Sequence, residues 1–210
     1  MAHQIRITYP KFPFWRAEVS RIALHLGGVK FEDHHPSREE FAAMRADGRL
    51  PFGQVPVLII DGQTIAQTGA IARLCGKLSG HYPADDLIAA AKVDQFLDAA
   101  TDITNKVGPT MREKDPEKRL AARAALAEET LPKWLGYLEA LAAEGASPYL
   151  VGETLTIADI AIWRLLGWLK SGLLDGIPTT LVSPFPALSR LFTSVDSTPE
   201  IQQWMRENYA

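Results

Sequence analysis

Asp94, Asp98 and Asp102 recur every four residues, so a helix would set three carboxylates along one face. Such a row could hold a metal ion, but no histidine or further carboxylate completes a ligand set, and charge rows of this kind are usually solvated; no metal is expected. Gln67-Thr68 falls where a strand-like run gives way to a helical one. There Thr68 can cap the helix, whose free N–H groups then face an anion. Pro56 interrupts a β-branched, strand-like run; having no N–H it cannot join a ladder, so it opens an edge or turn, often through a cis peptide bond. Tyr9 closes another such run, where a phenol is by itself an amphipathic core residue. Cys75, the single cysteine, cannot form an internal disulfide, a CxxC pair or a structural zinc site. Its place in a helical run predicts a buried, inert thiol, so thiol chemistry would use an imported one.

The elements that must position these groups fall into two parts. Gln4 to Tyr9 reads as a strand, and Val19, Ile22, Ala23 and Leu26 follow at helical spacing up to Gly27-Gly28. A strand at Phe31 to His34, a short helix at Ser37 to Ala46, a strand at Val55 to Ile60, the hairpin signal Asp61-Gly62, a returning strand at Thr64 to Ala66 and a helix from Thr68 to Leu78 complete the order βαβαββα. That order implies one mixed sheet with helices packed on it. The turn-rich stretch Gly80 to Asp86 is a linker, so the organisation expected is an α/β domain over 1–80, a linker over 81–86 and an all-helical domain over 87–210. In the second part Val93, Phe96, Leu97 and Ala100 form a stripe, and Glu117 to Ala143 reads as a long helix or a helix pair. Thr156 with Asp159 is a capping box, beside a Leu155–Ile160 staple, that starts a helix running through Trp168. Met111 to Arg119 reads as a solvated bend, Trp163 and Trp168 as core, and His34-His35 has no ligand partners at regular spacing.

With 47% hydrophobic and 22% charged residues and a net charge of −3, the chain has material for a sizeable core, which excludes disordered and collagen-like classes. No apolar run approaches the roughly 18 residues of a membrane span, and Met1 to Arg6 lacks the apolar stretch of a secretory signal. A cytoplasmic protein without a membrane partner is expected. Up to Gly80 the chain carries ten Lys and Arg against seven Asp and Glu, a net +3; the remainder carries twelve against eighteen, a net −6. Neither part has the clustered basic stripe of a nucleic-acid binder, so the excess in the first part suits a small anion.

The order of Tyr9, Arg16-Ala17-Glu18, Phe52-Gly53-Gln54-Val55-Pro56-Val57-Leu58, Asp61-Gly62 and Gln67-Thr68-Gly69-Ala70-Ile71 resembles the cytosolic glutathione transferases, most of all their tyrosine-type, sigma-like branch. The likeness covers the whole chain, with Asp102 and the Thr156–Asp159 box at the family's positions. It implies a thioredoxin-like domain followed by a helical one, with reduced glutathione as co-substrate and no bound cofactor. Tyr9 would hold the thiolate, which attacks a soft hydrophobic electrophile, as in detoxification. Arg16, Phe41, Arg45 or Arg49, Gln54, Val55, Pro56, Gln67 and Thr68 would bind glutathione. A cis Val55-Pro56 bond would expose the Val55 backbone to its cysteinyl residue. Asp102 would reach the ligand's amino group in the other subunit of a homodimer, while Asp94 and Asp98 are read as structural. Phe12, Phe14 and Met111 would line the electrophile pocket.

The segment Pro10 to Trp15 is one residue longer than usual in the family, with Trp15 where many relatives have glycine, and Phe41 stands where they commonly place tryptophan. Alternatives of other kinds are a glutathione-dependent isomerase resembling prostaglandin synthases and a non-catalytic glutathione-binding carrier or structural relative.

Overall fold

Val57 and Leu58 are neighbours in one strand, both sealed from solvent, yet they belong to different apolar clusters. Successive strand residues face opposite sides of a sheet, and here both sides are covered. The computed structural model describes residues 3–145 and 147–209. Its sheet holds β1 (Ile5–Thr8), β2 (Glu32–His34), β3 (Val57–Ile60) and β4 (Gln63–Ala66) in the order β2-β1-β3-β4. β1 pairs with β2 in parallel and with β3 antiparallel, Thr8 lying opposite both His34 and Val57. The β3–β4 hairpin turns at Asp61 and Gly62, both at positive φ (49° and 81°), which the Asp-Gly dipeptide tolerates.

Leu58 shares a cluster with residues of α1 (Trp15–Leu26) and α3 (Thr68–Ser79), and Val57 shares one with Met44 of α2 (Arg38–Ala46). Ser37 caps α2, its Oγ accepting from the Glu40 amide at 3.1 Å. Gly27, which ends α1, is the residue its surroundings demand: a Cβ there would lie 2.6 Å from Ser79.

From Leu87 on, the described residues form helices and turns. α4 (Leu87–Val107) starts on Asp86, whose carboxylate accepts the Ile88 and Ala89 amides at 3.0 Å. The expected long helix or helix pair is α5 (Pro116–Ala125) and α6 (Leu131–Ala142), joined by a π-helical turn at Leu126–Thr130. α7 (Ile157–Leu169) carries the capping box: Thr156 Oγ1 accepts the Ala158 amide, and Asp159 accepts the Thr156 amide at 2.7 Å. Asp159 also takes the Leu150 amide at 2.7 Å; burial pushes its carboxyl up to about 6 against these bonds. α8 (Pro186–Asp196) begins on Glu139 of α6, which accepts the Ala187 and Leu188 amides, and α9 (Pro199–Tyr209) ends the described chain. α7 is apolar nearly all round because it lies within the largest cluster, between α1, α4 and α8. Among the described residues no helix is long and apolar enough to cross a membrane.

Candidate functional site

β4 ends at Ala66 and α3 begins at Thr68, so Gln67 alone makes the junction, with φ 74° and ψ 122°. A non-glycine residue there is strained, and such strain persists where surrounding structure over-determines it. The cap position is therefore Gln67 rather than Thr68, which is the first helical residue. Among the described residues no side chain caps this end, so the first amides of α3 are free to meet an anion.

These amides open on a cleft of about 450 Å³ walled by Gln67, Thr68, Gly69, Arg73 and Asp98, with Arg16 and Asn105 at one side. A Cβ on Gly69 would come within 2.9 Å of the Arg73 guanidinium, so its absence makes room for that cation. Arg73 donates to Asp94 at 2.7 Å and lies 3.5 Å from Asp98, and the Tyr82 hydroxyl donates to Asp94 at 3.2 Å. The four-residue carboxylate row thus divides by role. Asp94 is tied to Arg73. Asp98, read above as structural, also lines the cleft. Asp102 is exposed, pairs with no group among the described residues and lines neither this cleft nor the next.

Just before β3, which is an interior strand rather than the edge that Pro56 could have opened, the Val55-Pro56 bond is cis, Gln54 is exposed, and Val55 and Phe41 pack on the Met44–Leu50–Val57 cluster. Of the two alternative cations on this side, Arg49 is held by Asp47 through Nε at 2.8 and 3.0 Å and Nη2 at 2.8 Å. Arg45 lies against Gly53, whose absent Cβ would sit 3.3 Å from Nε, and pairs with no carboxylate among the described residues.

Across Arg16 and Asn105 lies a second cleft, of about 380 Å³, whose apolar wall is Phe12, Phe14, Pro109, Met111 and Trp168. The Arg16 guanidinium reaches the side-chain oxygen Oδ1 of Asn105 at 3.5 Å, closing the wall common to both clefts. The long Pro10–Phe14 loop is fastened from the helical domain, because Arg164 of α7 donates from Nε (3.2 Å) and Nη2 to the Pro13 carbonyl. Phe14 meets Trp168 edge to face at 4.9 Å, and the unusual Trp15 is wholly buried, its indole N–H donating to Thr104 Oγ1 at 2.8 Å. Trp168, read above as core, is both buried and part of the wall. Met111, read also as part of a solvated bend, is placed by Arg123, which donates to Met111 Sδ at 3.2 Å and Thr110 Oγ1 at 3.0 Å and pairs with Asp175. The remaining polar groups of the wall include Arg112, which pairs with no carboxylate among the described residues.

Tyr9 follows β1 directly, its amide donating to the His34 carbonyl at 3.1 Å, and lines neither cleft. Its hydroxyl has no protein partner among the described residues, and it is not one of the sealed, orphaned polar atoms, a class that there holds Ser20 Oγ alone. Burial raises the phenol above its ordinary pKa of 10.0 against the pull of Arg16 and Arg21, so at neutral pH it keeps its proton and can donate. Cys75 is buried and burial pushes its thiol up to about 12, which leaves it unreactive. A larger cleft, of about 630 Å³, lies between the start of α4 and the 144–153 segment, and no candidate residue lines it.

Sequence reasoning missed Arg73, Asn105, Arg112 and Arg164. Arg164 had a usable signal, being a cation in the apolar run of α7, where a charge must find a partner. Arg73 and Asn105 carry no local signal, since their partners come from other elements, and Arg112 has no side-chain partner among the described residues to announce it.

Comparison with known proteins bears on the same two domains. Residues 6–74 match the family model described as "Glutathione S-transferase, N-terminal domain", and residues 101–208 match "Glutathione S-transferase, C-terminal domain". Glutathione S-transferase 1 of Ascaris suum is 33% identical over 199 residues, covering 90% of each chain. The crystal structure of the glutathione S-transferase from Ascaris lumbricoides superposes with a TM-score of 0.83 at 29% identity, covering 99% of this chain and 98% of that one. The structure of prostaglandin synthase D of Nilaparvata lugens shares the fold, with a TM-score of 0.85 at 24% identity over 99% of each chain. The α/β domain followed by an all-helical domain is thus a fold shared with these proteins, and the chain belongs to the glutathione S-transferase family.

Proposed function

We propose that this protein is a tyrosine-type, sigma-like glutathione transferase that conjugates reduced glutathione to soft hydrophobic electrophiles. One observation carries the reading: a polar cleft at a helix N-terminus adjoins an apolar cleft through a shared wall, Arg16 and Asn105. A peptide anion and an apolar electrophile need such a pair of neighbouring sites.

In this reading the γ-glutamyl carboxylate takes the α3 amides with Gln67 and Thr68, and the cysteinyl backbone pairs with Val55 as an added strand, flanked by Gln54 and Phe41. The glycyl carboxylate goes to Arg45, since Arg49 is already engaged by Asp47. The sulfur lies by the common wall, where Arg16 adds a positive charge, and in this reading the protonated Tyr9 hydroxyl, though it lines neither cleft, reaches the thiolate and donates to it. Lowering a thiol pKa by about two units requires roughly 2.7 kcal/mol, which a charge-assisted hydrogen bond and a nearby cation can supply. The thiolate then attacks an electrophilic carbon held among Phe12, Phe14 and Met111; the C–S bond forms as the leaving group departs with its electron pair. Little beyond thiolate stabilisation and proximity is needed. The polar part of this cleft's lining includes two cations, Arg16 and Arg112, which supports electrophiles that carry an acceptor or anionic group.

Asp102, exposed and unpaired among the described residues, would meet the amino group of glutathione bound by a second copy in a homodimer, and the +3 and −6 halves would then face one another. A chain with one sealed thiol and a thiol co-substrate fits the cytoplasm.

The test is retention on immobilised glutathione followed by conjugation of a generic aryl halide, with Tyr9→Phe beside the wild type. The variant should be retained equally and turn over about 10- to 100-fold more slowly, as loss of one charge-assisted bond implies. Retention of the wild type with negligible conjugation would favour the isomerase or the glutathione-binding carrier, and no retention with no turnover the non-catalytic structural relative. A Tyr9→Phe chain with wild-type turnover would remove Tyr9 from the mechanism.

A further inference from the structure

A carboxylate sealed from water must have its oxygens met by donors. Glu18 of α1 is fully buried, and its Oε1 accepts from Arg21 Nη1 at 2.8 Å and from the Tyr209 hydroxyl at 2.6 Å, while Oε2 accepts from the Trp204 indole at 2.9 Å. Arg21 is a neighbour one turn along α1; Trp204 and Tyr209 come from α9, 186 and 191 residues away. Burial beside Glu18 holds the Tyr209 phenol protonated far above its ordinary range, so it stays a donor. Arg21, with no solvent contact either, directs its other N–H groups to Asp33 at 2.8 Å and to the Tyr9 carbonyl at 3.2 Å, and its guanidinium lies 5.8 Å from the centre of the Tyr9 ring. His35 meets the same carbonyl through Nδ1 at 2.9 Å and lies 3.3 Å from Asp33 through Nε2.

We propose that the C-terminal helix α9 is a positioning element for Tyr9: Trp204 and Tyr209 fix Glu18, Glu18 fixes the Arg21 guanidinium, and Arg21 fixes the backbone and ring of Tyr9. Neither Trp204 nor Tyr209 lines either of the two clefts that meet at Arg16, and Tyr209 also accepts from Arg21 Nη1 at 3.2 Å, so both reach Tyr9 through Glu18 and Arg21. The inference rests on the reading of Tyr9 as thiolate donor. An arginine freed from Glu18 can turn toward Asp33, and the phenol it supports then loses its aim at the sulfur.

The experiment removes one donor to Glu18 while keeping the ring, in Tyr209→Phe, with Gln203→Ala on the exposed side of α9 as control. Turnover, the Michaelis constant for glutathione and the pKa of bound glutathione, read by thiolate absorbance, are measured for each. Tyr209→Phe should lower turnover by about three- to tenfold and raise the bound thiol pKa by about half to one unit, with the Michaelis constant within about twofold. Gln203→Ala should match wild type. The double variant Tyr9→Phe/Tyr209→Phe should be no slower than Tyr9→Phe alone, because the network acts through the phenol. A folded Tyr209→Phe chain with wild-type turnover and thiol pKa, or an additive loss in the double variant, overturns the proposal. Should Tyr209→Phe fail to fold, Trp204→Phe is read by the same thresholds. A Tyr9→Phe chain indistinguishable from wild type would instead sink the catalytic reading of Tyr9, whereas an impaired Tyr9→Phe beside an unimpaired Tyr209→Phe sinks this inference alone.

Discussion

The two clefts that meet at Arg16 and Asn105 differ in how much of each is set by backbone. The anion-facing end of the polar one is backbone, a positive φ at Gln67 and the open first turn of α3, with Arg73 and, from the helical domain, Asp98 and Asn105 completing its wall. Side chains from both domains make the apolar one, with Phe14 set against Trp168 and Met111 held by Arg123. Backbone conformation gives the first cleft one shape and one ligand chemistry. Side-chain packing gives the second a surface that single substitutions can remake without disturbing the first. Substrate range should therefore reside on the apolar side and glutathione selectivity on the other.

Trp15 is where the difference should break down, because it lies behind the common wall. Fully buried and bonded to Thr104, it fastens the start of α1 to α4, so Trp15→Ala should cost about 3–5 kcal/mol of stability. Chemical denaturation would measure the loss, and both glutathione retention and electrophile turnover should fall together. A stable variant that loses only one of them would show that the clefts are mechanically separate.

Arg45→Ala should be confined to the polar side. Loss of one charge-assisted bond to a carboxylate corresponds to roughly 1.5–3 kcal/mol, seen as a raised Michaelis constant for glutathione with that for the electrophile unchanged. Arg49→Ala should do little, since its cation already pairs with Asp47. The reverse result would place the glycyl carboxylate one helical turn further on.

The contrast also decides what could be read from the chain. Asp61-Gly62, the Thr156–Asp159 box and Pro56 were legible because each dictates its own backbone over a few residues. The expected Thr68 cap lies one residue off, because Gln67 adopts a positive φ that no side-chain preference announces. Phe12, Phe14 and Met111 do line a single cleft, but that placement followed from resemblance; nothing local says that Arg164 will reach 151 residues back to Pro13 and so seat the longer loop. Arg73 and Asn105 stayed silent for the same reason. Side chains whose partners come from distant elements leave no mark at short range.

Gln67→Gly separates strain from recognition on the polar side. Glycine accepts the positive φ, so relief of about 1 kcal/mol of strain should leave folding stability equal or slightly raised, while glutathione affinity falls with the side chain gone. Thermal melts with and without glutathione would show a higher apo midpoint and a smaller ligand-induced shift. A lower apo midpoint would mean that the Gln67 side chain contributes more to the fold than its backbone costs.

The smallest effect should come from the rim of the apolar cleft. Arg112 lines only that cleft and has no carboxylate partner among the described residues, whereas Arg16 serves both and cannot be changed without touching glutathione. An exposed ion pair contributes about 0.2–1 kcal/mol, so an aryl halide bearing a carboxylate should gain at most about fivefold in kcat/KM over a neutral analogue. Arg112→Glu should reverse the order, favouring an amine-bearing analogue by a similar factor, and the preference should shrink in high salt. The Michaelis constant for glutathione should not move. If charge reversal changes it, the rim is coupled to the polar cleft through Asn105; if it changes neither, substrate charge is read elsewhere and the apolar wall alone sets the range.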